Sequence, residues 1–305
     1  MQGSTRAERI AALAYDYAAQ PKQSAAMCDL CGAHGRDVTA VAHRDRYGFP
    51  ASLAVCRRCG LGWLSPRMTP EAYARFYDGV YRPLVSAYHG RCIDAETVQV
   101  EQRAYATELA GFLEPPTSRI VRGGEDSSGS TGVVAAVLAG RLDARATVLD
   151  PAPDELEVAR AAGVETIAGL VEDLDRGERC WDLVLLCQTI DHLLEVRRTL
   201  SALRRMTSAA GRAFIDILDV DLMLQRAGAI ERAIKIDHPY YLTRDTAVAF
   251  FALSGYVVLA ERESGDGHRG FVLAPGVSVE PDWRALGRAA TEFLRRAGYR
   301  QLSMR

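Results

Sequence analysis

Residues 181–219 read WDLVLLCQTIDHLLEVRRTLSALRRMTSAAGRAFIDILD, and their pattern decides the fold. Leu183–Cys187 is a short apolar run of strand length, Val196–Met206 switches to a helical period, and Ala213–Leu218 returns to an apolar run. Strand, helix and strand in so short a span predict parallel strands joined by a crossover helix. The same alternation extends outward on both sides. Further strands are predicted at Ile120–Val121, Thr147–Leu149, Thr166–Ile167, Val257–Glu261 and Phe271–Leu273, and further helices at Gly132–Gly140, Asp154–Ala162, Arg244–Ser254 and Pro281–Ala297. The fold class is α/β, a doubly wound Rossmann-like domain over residues 116–275, followed by a C-terminal helix within 276–305.

Upstream of Pro115-Pro116 the chain changes character. Residues 1–25 are expected to hold a helix over 5–20, with Ile10, Leu13, Ala14 and Tyr17 at helical spacing and Pro21 ending it. Residues 67–115 read as a helical linker or lid. Thr69-Pro70 supplies an N-cap and first-turn proline for a helix through about Tyr77, and a longer helix runs from Ala95 to Leu113. Tyr73, Tyr77, Tyr81 and Tyr88 crowd this segment, and Tyr81, Tyr88 and His89 are candidates for a lid over a substrate.

Between these helices lies a cysteine-built module, residues 26–66, with β-like runs at Val38–Ala42 and Ser52–Val55. Cys28-x2-Cys31 is separated by 24 residues from Cys56-x2-Cys59, and a glycine, Gly32 or Gly60, follows each pair. Thiolates are soft ligands, and two such knuckles place four sulfurs around one zinc ion. Four sulfur ligands leave no open position for a catalytic water, so the expected role is structural. A redox dithiol would need only one pair. His34 and His43 also lie inside the module as substitute ligands.

Composition excludes several classes. The 37 basic residues are balanced by 39 acidic ones, for a net charge of −2, so no electrostatic surplus favours nucleic acid or an anionic membrane. The arginines Arg57, Arg58 and Arg67 near the cysteine module do not change that balance. No apolar run reaches the length of a membrane span, and residues 1–17 lack the layout of a secretion signal, so a cytoplasmic location is expected. Cys92, Cys180 and Cys187 stand alone and read as filler.

An open α/β sheet takes its cofactor beyond the carboxyl ends of its strands, with a glycine-rich turn and a ribose-binding acid. Thr147-Val148-Leu149-Asp150 ends a strand in an acid, 18 residues beyond Gly132. On these residues the chain resembles class I S-adenosylmethionine-dependent methyltransferases that carry an N-terminal zinc-binding module. The resemblance spans roughly residues 27–275. It rests on CDLCG (28–32), DRYGFP (45–50), the run from Val55 to Tyr81, VLDPAPDELEVARAAG (148–163), the opening stretch 181–219, and DHPYYLTRDTAVAFFALSGYVV (237–258). Sugar and natural-product C-methyltransferases are the nearest in kind, though the further C-terminal domain they carry is missing here.

The resemblance implies S-adenosyl-L-methionine as cofactor, zinc as structural metal, and a small hydroxylated or sugar-like metabolite as methyl acceptor. Cofactor contacts fall on Asp126, Ser128, Ser130 and Gly132 in the loop, on Asp150 as the ribose acid, on Asp173 (beside Glu172) near adenine, and on Gln188 after the fourth strand. Serines occupy two of the three glycine positions of the family's loop; a second register would make Arg122-Gly123-Gly124 the motif. His192 is the candidate base, with Asp191 beside it, and His238, flanked by Tyr240 and Tyr241, is a further pocket histidine. His268 reads as hairpin surface. A homologue with a degenerate cofactor loop, acting as a binding or scaffolding subunit, is the alternative function.

Overall fold

Trp181–Leu186 and Thr207–Leu218 pair in parallel, Leu185 opposite Phe214, and the helix Val196–Met206 connects them. That helix turns Val196, Leu200, Leu203 and Met206 onto the sheet, the stripe that its period dictates. In the computed structural model, which describes residues 4–113, 132–151, 153–174 and 181–299, an antiparallel hairpin extends this sheet. His268–Pro275 pairs with Thr207–Leu218, and Tyr256–Glu263 forms the outer edge. A second parallel unit, Thr147–Asp150 with Glu165–Ala168, is joined by the helix Pro153–Ala161. The strand predicted at Ile120–Val121 lies outside the described residues.

Gly132 shows why a glycine stands before the helix Val133–Leu142. Its φ is +70°, and a Cβ there would lie 2.7 Å from the Cβ of Ala159 on the neighbouring helix. Close packing of two helices and a left-handed backbone both exclude a side chain.

The cysteine module is a four-stranded antiparallel sheet, and its order departs from the sequence. Val38–Arg44, Pro50–Cys56 and Gly62–Leu64 are consecutive, but the fourth strand is Tyr240–Tyr241, from the far end of the chain. The hairpin motif DRYGFP is held by Asp45, which accepts from the amides of Tyr47 (3.0 Å), Phe49 (2.9 Å) and Ile236 (3.0 Å). The module is therefore fused to the α/β domain. Cys28, Leu30, Cys56, Cys59 and Trp63 share one core with Trp181, Leu203, Phe250 and Leu286.

One expectation is corrected. The helix predicted over 5–20 spans only Arg6–Ala11, opened by a Thr5–Glu8 capping box. Ala14 takes a φ of 51°, which turns the chain so that Tyr15 and Tyr17 both pack on Phe49. Burial of two aromatic rings outweighs a few more helical hydrogen bonds. Two helices that the sequence reading placed nowhere, Val220–Ala227 and Ile230–Ala233, connect the main sheet to the strand Tyr240–Tyr241. No helix among the described residues is long and apolar enough to cross a membrane.

Candidate active site and metal centre

The four cysteines converge. Cys28 Sγ lies 3.4 Å from Cys59 Sγ, Cys31 Sγ 3.5 Å from Cys56 Sγ, and all four sulfurs fall within 4.8 Å of one another. Tetrahedral zinc with bonds of about 2.3 Å sets sulfurs roughly 3.8 Å apart, so the donor set fits that ion. Each knuckle closes as the glycines allow. Gly32 N donates to Cys28 O (2.9 Å) and Gly60 N to Cys56 O (2.8 Å), with φ of +71° and +85°. The C-terminal helix Trp283–Arg296 covers the second knuckle so closely that a Cβ on Gly60 would meet Ala290 at 3.4 Å.

A cleft of about 1350 Å³ opens along the carboxyl ends of the parallel strands. Its walls include Pro151 and Gln188 as well as Tyr77, His192 and His268. The helices Pro70–Gly79, Tyr81–His89 and Ala95–Phe112 form its far wall, where Tyr81 and His89 line it. Tyr88 does not; its ring packs between the guanidinium groups of Arg6 (4.2 Å) and Arg46 (4.6 Å).

His192 sits on a 3-10 turn, Ile190–His192, directly after the strand Trp181–Leu186. Its Nδ1 is 2.5 Å from the hydroxyl of Tyr77, which is also 2.9 Å from the carbonyl of Asp237. A carbonyl only accepts. Both contacts are hydrogen bonds when Tyr77 donates to Asp237 O and Nδ1–H donates to Tyr77, leaving Nε2 with the lone pair. Burial, with Lys235 nearby, pushes the imidazole pKa down to about 4, so the ring is neutral at ordinary pH.

Asp191 does not touch that ring. Its Oδ2 accepts from Leu218 N at 2.8 Å, tying the turn to the adjacent strand; its Oδ1 is buried with no hydrogen bond among the described residues, and burial raises the carboxyl pKa to about 7. His238 lies behind His192, ring centroids 4.4 Å apart, and is absent from the cleft wall. Burial holds it well below the usual histidine range. His192, Asp237 and His238 are near enough to share an ion, yet Lys235 Nζ already stands 3.2 Å from Asp237 Oδ2. That ammonium balances the carboxylate and repels a dication. Tyr240 and Tyr241 act as packing, Tyr241 taking the amide of Lys235 at 2.6 Å.

Asp150 is fully buried at its strand terminus, beside the cleft-lining Pro151, and its carbonyl accepts from Gly169 N at 3.1 Å. Gln188 has a φ of 54°, and its amide donates to the buried carboxylate of Asp216, which also accepts from Tyr105 OH at 2.8 Å. Asp173 is exposed and 3.6 Å from Arg198. Glu172 accepts from Thr199. Asp126, Ser128 and Ser130 lie outside the described residues, as does Cys180. Sequence reasoning missed Asp216, Asp237 and Lys235. An acid inside the apolar strand AFIDIL was the available signal for Asp216.

Residues 126–215 match a family model described as a methyltransferase domain. No curated protein matches the chain. Solved structures of similar fold include CalO1, a methyltransferase in calicheamicin biosynthesis in its S-adenosylhomocysteine-bound form, 14% identical with a TM-score of 0.50 over 70% of this chain and 64% of that one. TnmH is 16% identical, with a TM-score of 0.48 over 67% of this chain and 61% of that one. An O-methyltransferase family protein from Burkholderia thailandensis is 13% identical, with a TM-score of 0.48 over 67% and 62%. The chain thus spans less than two thirds of the length of each of the three. At such identity the CalO1 likeness shows the fold. With the family model it defines a methyltransferase-type α/β domain joined to an N-terminal four-cysteine module.

Proposed function

We propose that the chain is an S-adenosylmethionine-dependent methyltransferase acting on a small hydroxylated or sugar-like metabolite, with His192 taking the acceptor's proton and one structural zinc on Cys28, Cys31, Cys56 and Cys59. The observation that carries this reading is the His192 ring, hydrogen-bonded to Tyr77 and lining the same cleft as the carboxyl-end residues Pro151 and Gln188. The cofactor would supply an electrophilic methyl group. Asp150 and Gln188 are the residues to hold its ribose and adenine side, with Asp126, Ser128 and Ser130 on the methionine side. The chain's own part is alignment and proton removal: the three-helix wall confines the acceptor, and His192 accepts its proton through Nε2.

Methyl transfer measured with acceptors of this class tests the assignment. His192→Ala should lower turnover by about 10²–10⁴-fold while leaving S-adenosylhomocysteine affinity nearly unchanged, because loss of a proton acceptor acts on the transition state. Full turnover by the folded variant would remove His192 from the mechanism. The serine-substituted loop favours the scaffold alternative, which predicts no cofactor binding at all.

A further inference from the structure

The cleft has a second histidine whose setting is opposite to that of His192. His268 opens the strand His268–Pro275 and pairs with Leu218, which brings it to the carboxyl edge of the sheet beside Asp216. It is no loose surface residue. Its Nδ1 lies 2.8 Å from Asp266 Oδ2, and its amide donates to Asp266 Oδ1 at 3.1 Å. The turn that carries it is fastened from outside: Arg226 donates to the carbonyls of Gly265 (2.7 Å) and Ser264 (3.3 Å), Asp219 N to that of Gly267 (3.0 Å). With Nδ1 spent on Asp266, Nε2 makes no hydrogen bond among the described residues.

A second donor on the same hairpin makes no hydrogen bond among the described residues, though its charge reaches the carboxylate of Asp216. Arg262 lines the cleft, its guanidinium 5.2 Å from the ring centroid of Phe112 and 5.8 Å from that of Phe214, with no hydrogen bond or ion pair among the described residues. Its neighbours on the hairpin are satisfied, since Arg269 pairs with Asp219 (3.0 Å) and Glu263 (3.1 Å). Resting on the methyltransferase reading, we propose that His268 and Arg262 form an oxyanion-binding site for a carboxylate or phosphate group of the acceptor, in the cleft that His192 also lines. Two donors without a hydrogen-bond acceptor among the described residues suit a charge-assisted pair of hydrogen bonds.

The charges around His268 support it. Burial works to lower its pKa, but the hydrogen bond to Asp266 and the nearby charges of Asp216 and Asp191 outweigh burial and hold it above the ordinary value. Arg262, Arg269, Arg226, Asp219, Glu263, His192 and His238 are further titratable or charged groups near it; Arg226 and Arg269 are engaged, Asp219 and Glu263 are paired with Arg269, and both other histidines are held below the usual range by burial. The cleft therefore holds a cation and, at His192, a neutral imidazole.

Imidazole resonances of the zinc-loaded full chain, titrated with inorganic phosphate and with acetate, test this. A saturable shift of His268 is expected, with His268→Gln and Arg262→Gln each weakening phosphate binding at least about tenfold. Asp266→Asn should weaken it at pH 7.5, and by less as pH falls and the ring gains its proton, because burial lowers the imidazole pKa once Asp266 no longer offsets it; a merely structural turn would show no such pH dependence. A response to one probe alone supports the site and names its anion. No saturable shift, or unchanged binding in Arg262→Gln, overturns it. The probes need no cofactor, so failed S-adenosylhomocysteine binding with a normal phosphate response would count against the enzyme reading and not against this site.

Discussion

In the arrangement that satisfies both contacts of the Tyr77 hydroxyl, the proton of His192 sits on Nδ1 and the lone pair on Nε2. Because burial holds that ring near a pKa of about 4, its contribution to kcat/KM should appear as an acid limb near pH 4 instead of near the ordinary histidine value of 6.5. Tyr77→Phe should lower turnover about tenfold or more by freeing the tautomer, with little change in Tm; a pH–rate profile of both proteins checks this. Asp191 makes a different statement. Its carboxyl ionises near 3.8 unfolded and near 7 folded, so between those values the native state keeps a proton that the unfolded chain has lost. The stabilising contribution is whole below pH 3.8 and is lost as pH rises to about 7. Asp191→Asn should therefore flatten the decline of stability between pH 5 and 8, by on the order of 1–3 kcal/mol in denaturant titrations. A decline identical to that of the parent would mean the buried carboxyl is charged in both states. The place of Asp191 and His192 just after a strand was legible, because an acid-His pair following an apolar run is a local pattern. The partners that give them different jobs, Tyr77 and Leu218, are 115 and 27 residues away and left no local trace.

Elements were legible where period and caps agreed. The helix Val196–Met206 has the predicted bounds, and Thr69 caps Pro70–Gly79 by accepting from Ala72 N, as a threonine before proline should. The N-terminal helix was overextended because Ile10, Leu13, Ala14 and Tyr17 keep a helical spacing that tertiary packing of Tyr15 and Tyr17 overrides. Gly132 tests the helix contact it permits. Gly132→Ala forces a Cβ into Ala159 and a side chain onto φ +70°, and should cost about 1–3 kcal/mol by thermal or chemical unfolding. A neutral effect would mean that the helices Val133–Leu142 and Pro153–Ala161 are not so tightly packed.

At the scale of the whole molecule, the cysteine module and the α/β domain read as successive segments yet fold as one body. The strand Tyr240–Tyr241 completes the module's sheet, and the cysteines share a core with Phe250 and Leu286. Pairing across that distance in sequence is invisible to period and composition. Because metal binding at such a site is folding free energy, purified protein should carry about one zinc per chain, and Cys56→Ser or chelation should lower the melting temperature of the entire chain in one transition. A separate early transition confined to the module would contradict the shared core. The measurement closest to the central claim is calorimetric titration of the zinc-loaded chain with S-adenosylhomocysteine. One site per chain is expected, weakened at least about tenfold by Asp150→Ala, since a carboxylate–ribose contact is worth roughly 1.5–3 kcal/mol. Absence of binding heat in the folded parent protein would contradict the account and leave the fold as a scaffold.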